Sequence, residues 1–280
     1  MFLIPLVLGS LSILFPFISA ILLMMYAGKS VTISIQTPLR AMGSFFVVPL
    51  GMLLFFATPD SLLPICDSVF GVGIPVLLFL ATLARLHRTS SAFAISVLAL
   101  IIYGMWRGYY FQDLLLSSFS EVMAQAQATL PQYMNTEVMK QSLSMWKILM
   151  PAMWTITQIC SMFVGLILFH KQVGLSFRWS ELRFPVYYNL AILVVLPLYF
   201  VSGQELWFIN AIASLAVLPI LQGVGILVYY LTRLLSNRLI LGVSLFIILI
   251  NLMSYIFIML LGFADIWLNL RKLEIGGSPA

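Results

Sequence analysis

Continuous apolar runs, each close to twenty residues long, recur along this chain and leave it few ways to fold. They lie at 2–27, 41–58, 62–84, 91–110, 146–170, 184–202, 206–232 and 239–264. About 20 apolar residues in a helix cross the roughly 30 Å hydrocarbon core of a bilayer. The runs lack the alternation of a barrel strand. In hydrocarbon every backbone N–H and C=O needs an internal partner, which leaves helices. Composition agrees: 62% of the residues are hydrophobic and 8% charged, with a mean hydropathy of +1.09. A water-facing domain carries about 25% charged residues. The expectation is an all-α, polytopic membrane bundle of about eight transmembrane helices, forming a single integral membrane domain over residues 1–280. The opening MFLIPLVLGSLSILFPFISA has no basic leader, and its apolar run continues past the one small-residue site, so it reads as a retained first helix interrupted at Pro16.

Orientation follows from Lys and Arg. The connections after spans one, three, five and seven hold Lys29, Arg40, Arg85, Arg88, Lys171, Arg178, Arg183, Arg233 and Arg238, with Glu181 their only acid. The other side takes Arg107, Lys140, Lys147, Arg271 and Lys272 with the remaining acids. The basic side is expected to be cytoplasmic. Eight straight spans place Arg271 and Lys272 on the opposite side, against that rule. The net charge of +5 and pI near 9.3 belong to this asymmetry. No basic cluster is interleaved with aromatics, so nucleic acid is not an expected partner.

Residues 111–145 form the one sizeable excursion from the membrane. Leu115, Phe119 and Val122 recur at helical spacing, and Met134, Val138, Met139 and Leu143 do so again after Pro131. Two short amphipathic helices on the outer interface fit this pattern, as a connector or as a lid over an entrance.

The chain lacks the residues of most membrane chemistry. His87 and His170 sit at the edges of spans, and there is no H-E-x-x-H, C-x-x-C, P-loop or G-x-S-x-G. Cys66 and Cys160 fall in different apolar segments and read as small buried residues. Inside a span the clear carboxylate is Asp67, with Asp265 at a helix end. No enzyme, cofactor or metal is expected, and without a P-loop any energised transport needs a partner ATPase or an ion gradient.

Polar side chains inside the spans are the candidate functional residues, because polar groups in hydrocarbon face the bundle interior or a cavity. Gln158, Gln222 and Asn251 are expected near the midplane, with Asn189 and Asn210 nearer the edges. The midplane amides either line a site for a small polar solute or bridge helices. Asp67 and Arg107 fall in the outer parts of consecutive antiparallel spans, so an ion pair is expected, as glue or as a gate. Pro16, Pro49, Pro75, Pro151, Pro197 and Pro219 lie within the apolar runs, and each interior proline frees a carbonyl and kinks its helix. Broken helices of this kind build many transporter sites.

Three segments carry a resemblance. They are LQGVGILVYYL from Leu221 to Leu231, LGFADIWLNLRKL from Leu261 to Leu273, and RWSELRFP from Arg178 to Pro185. In this order and spacing the chain resembles the YybS-like predicted bacterial membrane proteins, a family built on a domain of unknown function. The resemblance implies a bacterial cytoplasmic membrane and a distant likeness to the substrate-capturing S components of energy-coupling factor transporters. Such components dock on a transmembrane coupling subunit through small residues, for which Ala92/Ser96 and Ala213/Ala216 are the candidates here. In the C-terminal motif a continuing helix places Asp265, Asn269 and Lys272 on one face and pairs Trp267 with Arg271. That motif is either a membrane-boundary anchor or a partner-docking surface.

Two functional expectations follow. One is a substrate-binding membrane subunit for a small solute, working with separate energy-coupling ATPase and transmembrane subunits. The other is a non-transport scaffold or assembly factor that binds another envelope protein.

Overall fold

The computed structural model describes residues 2–56, 58–129, 137–235 and 237–272. Within them every regular element is helical. The chain opens with α1 (Leu3–Leu14) and α2 (Pro16–Val31), followed by α3 (Gln36–Phe55) and α4 (Pro59–Cys66). A π-helical turn (Asp67–Gly73) joins α4 to α5 (Ile74–Leu86). Next come α6 (Thr89–Tyr110), α7 (Gln112–Thr129) and α8 (Glu137–Gln172). Then follow α9 (Tyr187–Val195), α10 (Glu205–Leu215), α11 (Val217–Leu234), α12 (Arg238–Ile250) and α13 (Leu252–Leu268).

Five helical stretches are long and apolar enough to cross a membrane: Gln36–Phe55, Ser61–Leu86, Thr89–Tyr110, Gln141–Gln172 and Glu205–Leu234. A sixth is reached if the bent pair Leu239–Ile250 and Met253–Leu268 counts as one. The chain is thus a multi-pass membrane protein by length and composition, with fewer long spans than the eight expected. The first expected span is two helices, because Phe15, ahead of Pro16, leaves the helical region at φ −134° and ψ 68°. At 1.5 Å per residue α1 and α2 are only about 18 and 24 Å long. The stretch 184–202 holds only nine α-helical residues before Pro197 tightens it into a 3₁₀ turn. The outer excursion is also different. α7 is a separate helix with no buried residue, but residues from Glu137 onward run straight into the α8 span rather than forming a second short helix. Residues 130–136, which include Pro131 and Met134, lie outside the described residues.

The last pair changes the topology. α12 and α13 meet at 106° where Asn251 leaves the helical region. Along α11 and α13 the rungs Pro219/Gly262, Gln222/Asp265 and Tyr230/Leu270 ascend together, so the two helices run parallel. They approach so closely that a Cβ at Gly262 would collide with the Pro219 carbonyl, and one at Gly223 with that of Ile258. The parallel course brings Arg271 and Lys272 back to the end of the bundle that holds Arg233 and the 178–183 loop. Contacts knit that end together: Thr89 with His170, Tyr187 with the Ser91 carbonyl, and Arg271 with the carbonyls of Ser180 and Leu182. Eleven of the 14 Lys and Arg residues now belong to one end by chain position. The conflict over the C-terminal charges disappears.

Interior prolines supply the logic of the core. Pro75 has no N–H for the Gly71 carbonyl, and the ladder just before it has slipped to the π pattern, with Ile74 N–H donating to Val69. The amide of Gln158, reaching across from α8, donates to Gly71 at 2.9 Å. Pro219 likewise abandons the Leu215 carbonyl, and the Tyr188 hydroxyl donates to it at 3.0 Å. The Phe45 carbonyl, deprived by Pro49, lies against Gly9 of α1 so tightly that no side chain fits there. An unsatisfied carbonyl in hydrocarbon costs several kcal/mol, and side chains from neighbouring helices are one remedy. These repairs surround the aromatic and aliphatic core of Phe45, Phe79, Phe93, Ile159, Met162 and Tyr188.

Candidate functional site

Two buried polar networks and one cleft concentrate the polar side chains. In the first network Asp67, on the π-helical turn, accepts from Arg107 Nε at 2.7 Å, Arg107 Nη2 at 3.1 Å and the Tyr103 hydroxyl at 2.6 Å. Both ionic side chains are less than a tenth exposed. Tyr103 and Arg107 reach one carboxylate because they are four residues apart on α6, and the guanidinium lies 4.6 Å over the Trp154 ring on α8. The charges cancel and the carboxylate is well supplied with donors, so the cluster ties three segments together and offers no free acid or base.

The second network joins residues that the sequence reading assigned to separate roles. Gln222 donates to Asp265 Oδ2 at 2.7 Å and accepts from the Phe184 N–H at 2.8 Å. Arg271 clasps the same carboxylate through Nη2 at 2.8 Å, with both side chains fully buried. Its other donors take the carbonyls of Ser180 at 2.8 Å and Leu182 at 2.6 Å. α13 ends at Leu268, and Asn269 turns left-handed at φ 48°. Arg271 therefore folds back on Asp265 instead of standing beside Trp267, which stays half exposed. The continuous helical face drawn through Asp265, Asn269 and Lys272 is corrected accordingly.

The three amides expected at the midplane are not brought together. Gln158 serves the Gly71 carbonyl, with its Oε1 buried and unpartnered among the described residues, and Gln222 serves Asp265. Asn251 is exposed and caps α13, accepting from Met253 N–H at 3.0 Å. Asn189 is buried with neither amide atom partnered among the described residues. Cys66 is buried as expected, but Cys160 faces outward.

The cleft opens beside Pro151 of α8. Pro151 withholds an N–H from the Lys147 carbonyl, and Asn210 of α10 enters the break. Its Oδ1 accepts from Ala152 N–H at 3.0 Å and its Nδ2 donates to the Ile148 carbonyl at 2.9 Å, the pair that bond each other in an unbroken helix. A side-chain amide thus replaces one rung of the ladder, and a cleft of about 250 Å³ lies beside it. Its walls are apolar: Leu115 and Leu116 of α7, Ile148, Met150 and Pro151 of α8, and Leu206 of α10. Gln112, Lys147 and Trp207 bring an amide, an ammonium and an indole N–H to the same space. None of these three polar heads has a hydrogen-bond or ion-pair partner among the described residues, and no carboxylate lines the cleft. Trp106, Tyr109, Tyr110, Trp146 and Tyr199 are exposed at the same end of the bundle, the distribution of an interfacial aromatic belt. The sequence singles out Asn210 and Pro151 and marks Lys147 only as an outer-side charge, while nothing in it marks Gln112 or Trp207.

Compared with protein families, curated proteins and solved structures, the chain matches none.

Proposed function

We propose that this chain is a membrane-embedded binding subunit for a small solute, acting beside separate energy-coupling ATPase and transmembrane subunits. The observation that carries the reading is the cleft beside Pro151 of α8. It is concave, mostly apolar and furnished with a few convergent polar groups, the usual make-up of a small-molecule site. On this reading Asn210 and Pro151 build the site, Gln158 and Gln222 are helix-bridging amides, and no catalytic step is involved. The YybS-like resemblance favours a bacterial cytoplasmic membrane. With the basic end inside by the positive-inside rule, the cleft faces outward and α7 lies on the outer interface as its roof.

The scaffold reading rests on α12, whose Leu239, Val243, Phe246 and Ile250 are exposed along its length. One experiment separates the two. The protein is purified in mild detergent and denatured, and both the small molecules and the co-purifying proteins are identified by mass spectrometry. A retained solute or ATPase subunits are the expected result. An empty protein carrying only another envelope protein overturns the transport reading.

A further inference from the structure

The cleft described above can also be read for the kind of molecule it selects, an inference that rests on the solute-binding reading. Its polar side chains are rich in donors, and the one charge among its lining residues is positive. Lys147 contributes an ammonium, Trp207 an N–H that can only donate, and Gln112 an amide with two donor hydrogens. Asp113 and Glu205 are the neighbouring acids in sequence, both exposed and neither part of the lining. An ammonium beside a low-dielectric wall and without a counter-charge attracts an anion more strongly than it would in open water. The same cleft has hydrocarbon walls, from Leu115, Leu116, Met150 and Leu206. The cleft is small, about 250 Å³, which suits a compact ligand. A purely polar anion leaves the walls unused, and a purely apolar solute leaves three donors stranded.

The geometry points to a small anionic amphiphile as the ligand: an oxyanion head seated between Lys147, Gln112 and Trp207, with a short aliphatic body against the α7 and α10 leucines. Such a molecule can come from two sources, a free aliphatic carboxylate or the end of an anionic lipid. Both present the same chemistry to the cleft.

The test uses the full chain in nanodiscs of zwitterionic phosphatidylcholine, with radiolabelled octanoate as the probe. Octanoate is expected to bind saturably. Octanamide, equal in shape but uncharged, should compete at least about tenfold less well, the usual worth of one charge-assisted hydrogen bond. Acetate, which has the charge without the body, should not compete. Lys147→Gln should weaken octanoate binding about tenfold or more while leaving the melting temperature unchanged, since Lys147 is exposed and bonds to nothing else among the described residues; Lys147→Arg should restore most of it. Adding phosphatidylglycerol to the discs identifies the source: displacement of octanoate points to lipid, and undisturbed binding to a free carboxylate. Equal binding of octanoate and octanamide, with Lys147→Gln silent, overturns the anion assignment and leaves a neutral-solute subunit standing. Absence of octanoate binding from a protein that releases some other solute on denaturation overturns the ligand assignment and leaves the solute-binding reading standing. Absence of both overturns the ligand assignment and the solute-binding reading together.

Discussion

Replacing Arg271 with Gln removes a side chain that ties the C-terminal end of α13 to the 178–184 loop. The wild-type guanidinium makes Nε and Nη2 contacts to Asp265 and donates to the Ser180 and Leu182 carbonyls, with its side chain fully out of solvent. Deleting one member of a buried pair costs about 3–5 kcal/mol, because the other charge is left behind. Two abandoned carbonyls each add up to about 1–3 kcal/mol if they stay dry. The loop sits at the end of the bundle, where water can reach displaced groups, so the expected loss is near the pair value, about 3–5 kcal/mol. Unfolding in detergent, followed by tryptophan fluorescence against denaturant, measures it. Limited trypsin digestion supplies a second readout, since a loop released from α13 can fit the protease and be cut after Arg178 and Arg183. The double replacement Asp265→Leu with Arg271→Met should cost less than either single charge-stranding change. A loss below about 1 kcal/mol for Arg271→Gln, the range of solvent-exposed pairs, would mean that the clasp is wet and the reasoning wrong.

Other outcomes are equally direct. Asp67→Asn and Arg107→Gln should each destabilise the bundle by about 3 kcal/mol or more, with the double change costing less than the sum; strict additivity in the same unfolding assay excludes the pair. Gln158→Leu should cost about 1–3 kcal/mol by stranding the Gly71 carbonyl, and Pro75→Ala, which returns an N–H to that carbonyl, should relieve part of the loss. An unrelieved loss would show that Gln158 matters through packing or its other amide atom. Cysteines placed at positions 85, 233 and 272 should resist an impermeant thiol reagent in intact cells, while one at position 125 should label; labelling at 272 alone would undo the parallel course of α13.

Much of this architecture is readable from residues, and the misreadings share a physical cause. The pairing of Asp67 with Arg107 is legible because consecutive antiparallel spans fix the relative depth of their residues. Tyr103, four residues before Arg107, was legible by the same helical arithmetic; Trp154 belongs to a non-adjacent helix and was not. The placement of Gln222 and Asn251 at one depth assumed that 239–264 is a straight span. Asn251 breaks it, and the cue is present in the sequence, since Asn is a favoured N-cap. That one bend reverses the course of α13, carries Asp265 to Gln222 and returns the terminal charges to the basic end. Hydropathy is blind to it, because a bent apolar run scores the same as a straight one. The π-helical turn is equally hidden, as one slipped rung leaves composition and periodicity nearly unchanged.

The repaired proline carbonyls also bear on the order in which the chain is made. When Tyr188 serves Leu215, the donor precedes the acceptor in the sequence, so the rung can close as soon as its helix enters the bilayer. Gly71 is in the opposite position, for its donor Gln158 lies 87 residues downstream. At about 5–20 residues per second of synthesis the Gly71 carbonyl waits some 4–17 s for its partner. Through that interval the π-helical turn must keep to the translocation channel, the headgroup region or a borrowed water. A ribosome stalled before residue 158 should therefore hold a nascent chain whose Ser61–Leu86 segment is still reachable from water, and one stalled well beyond it should not.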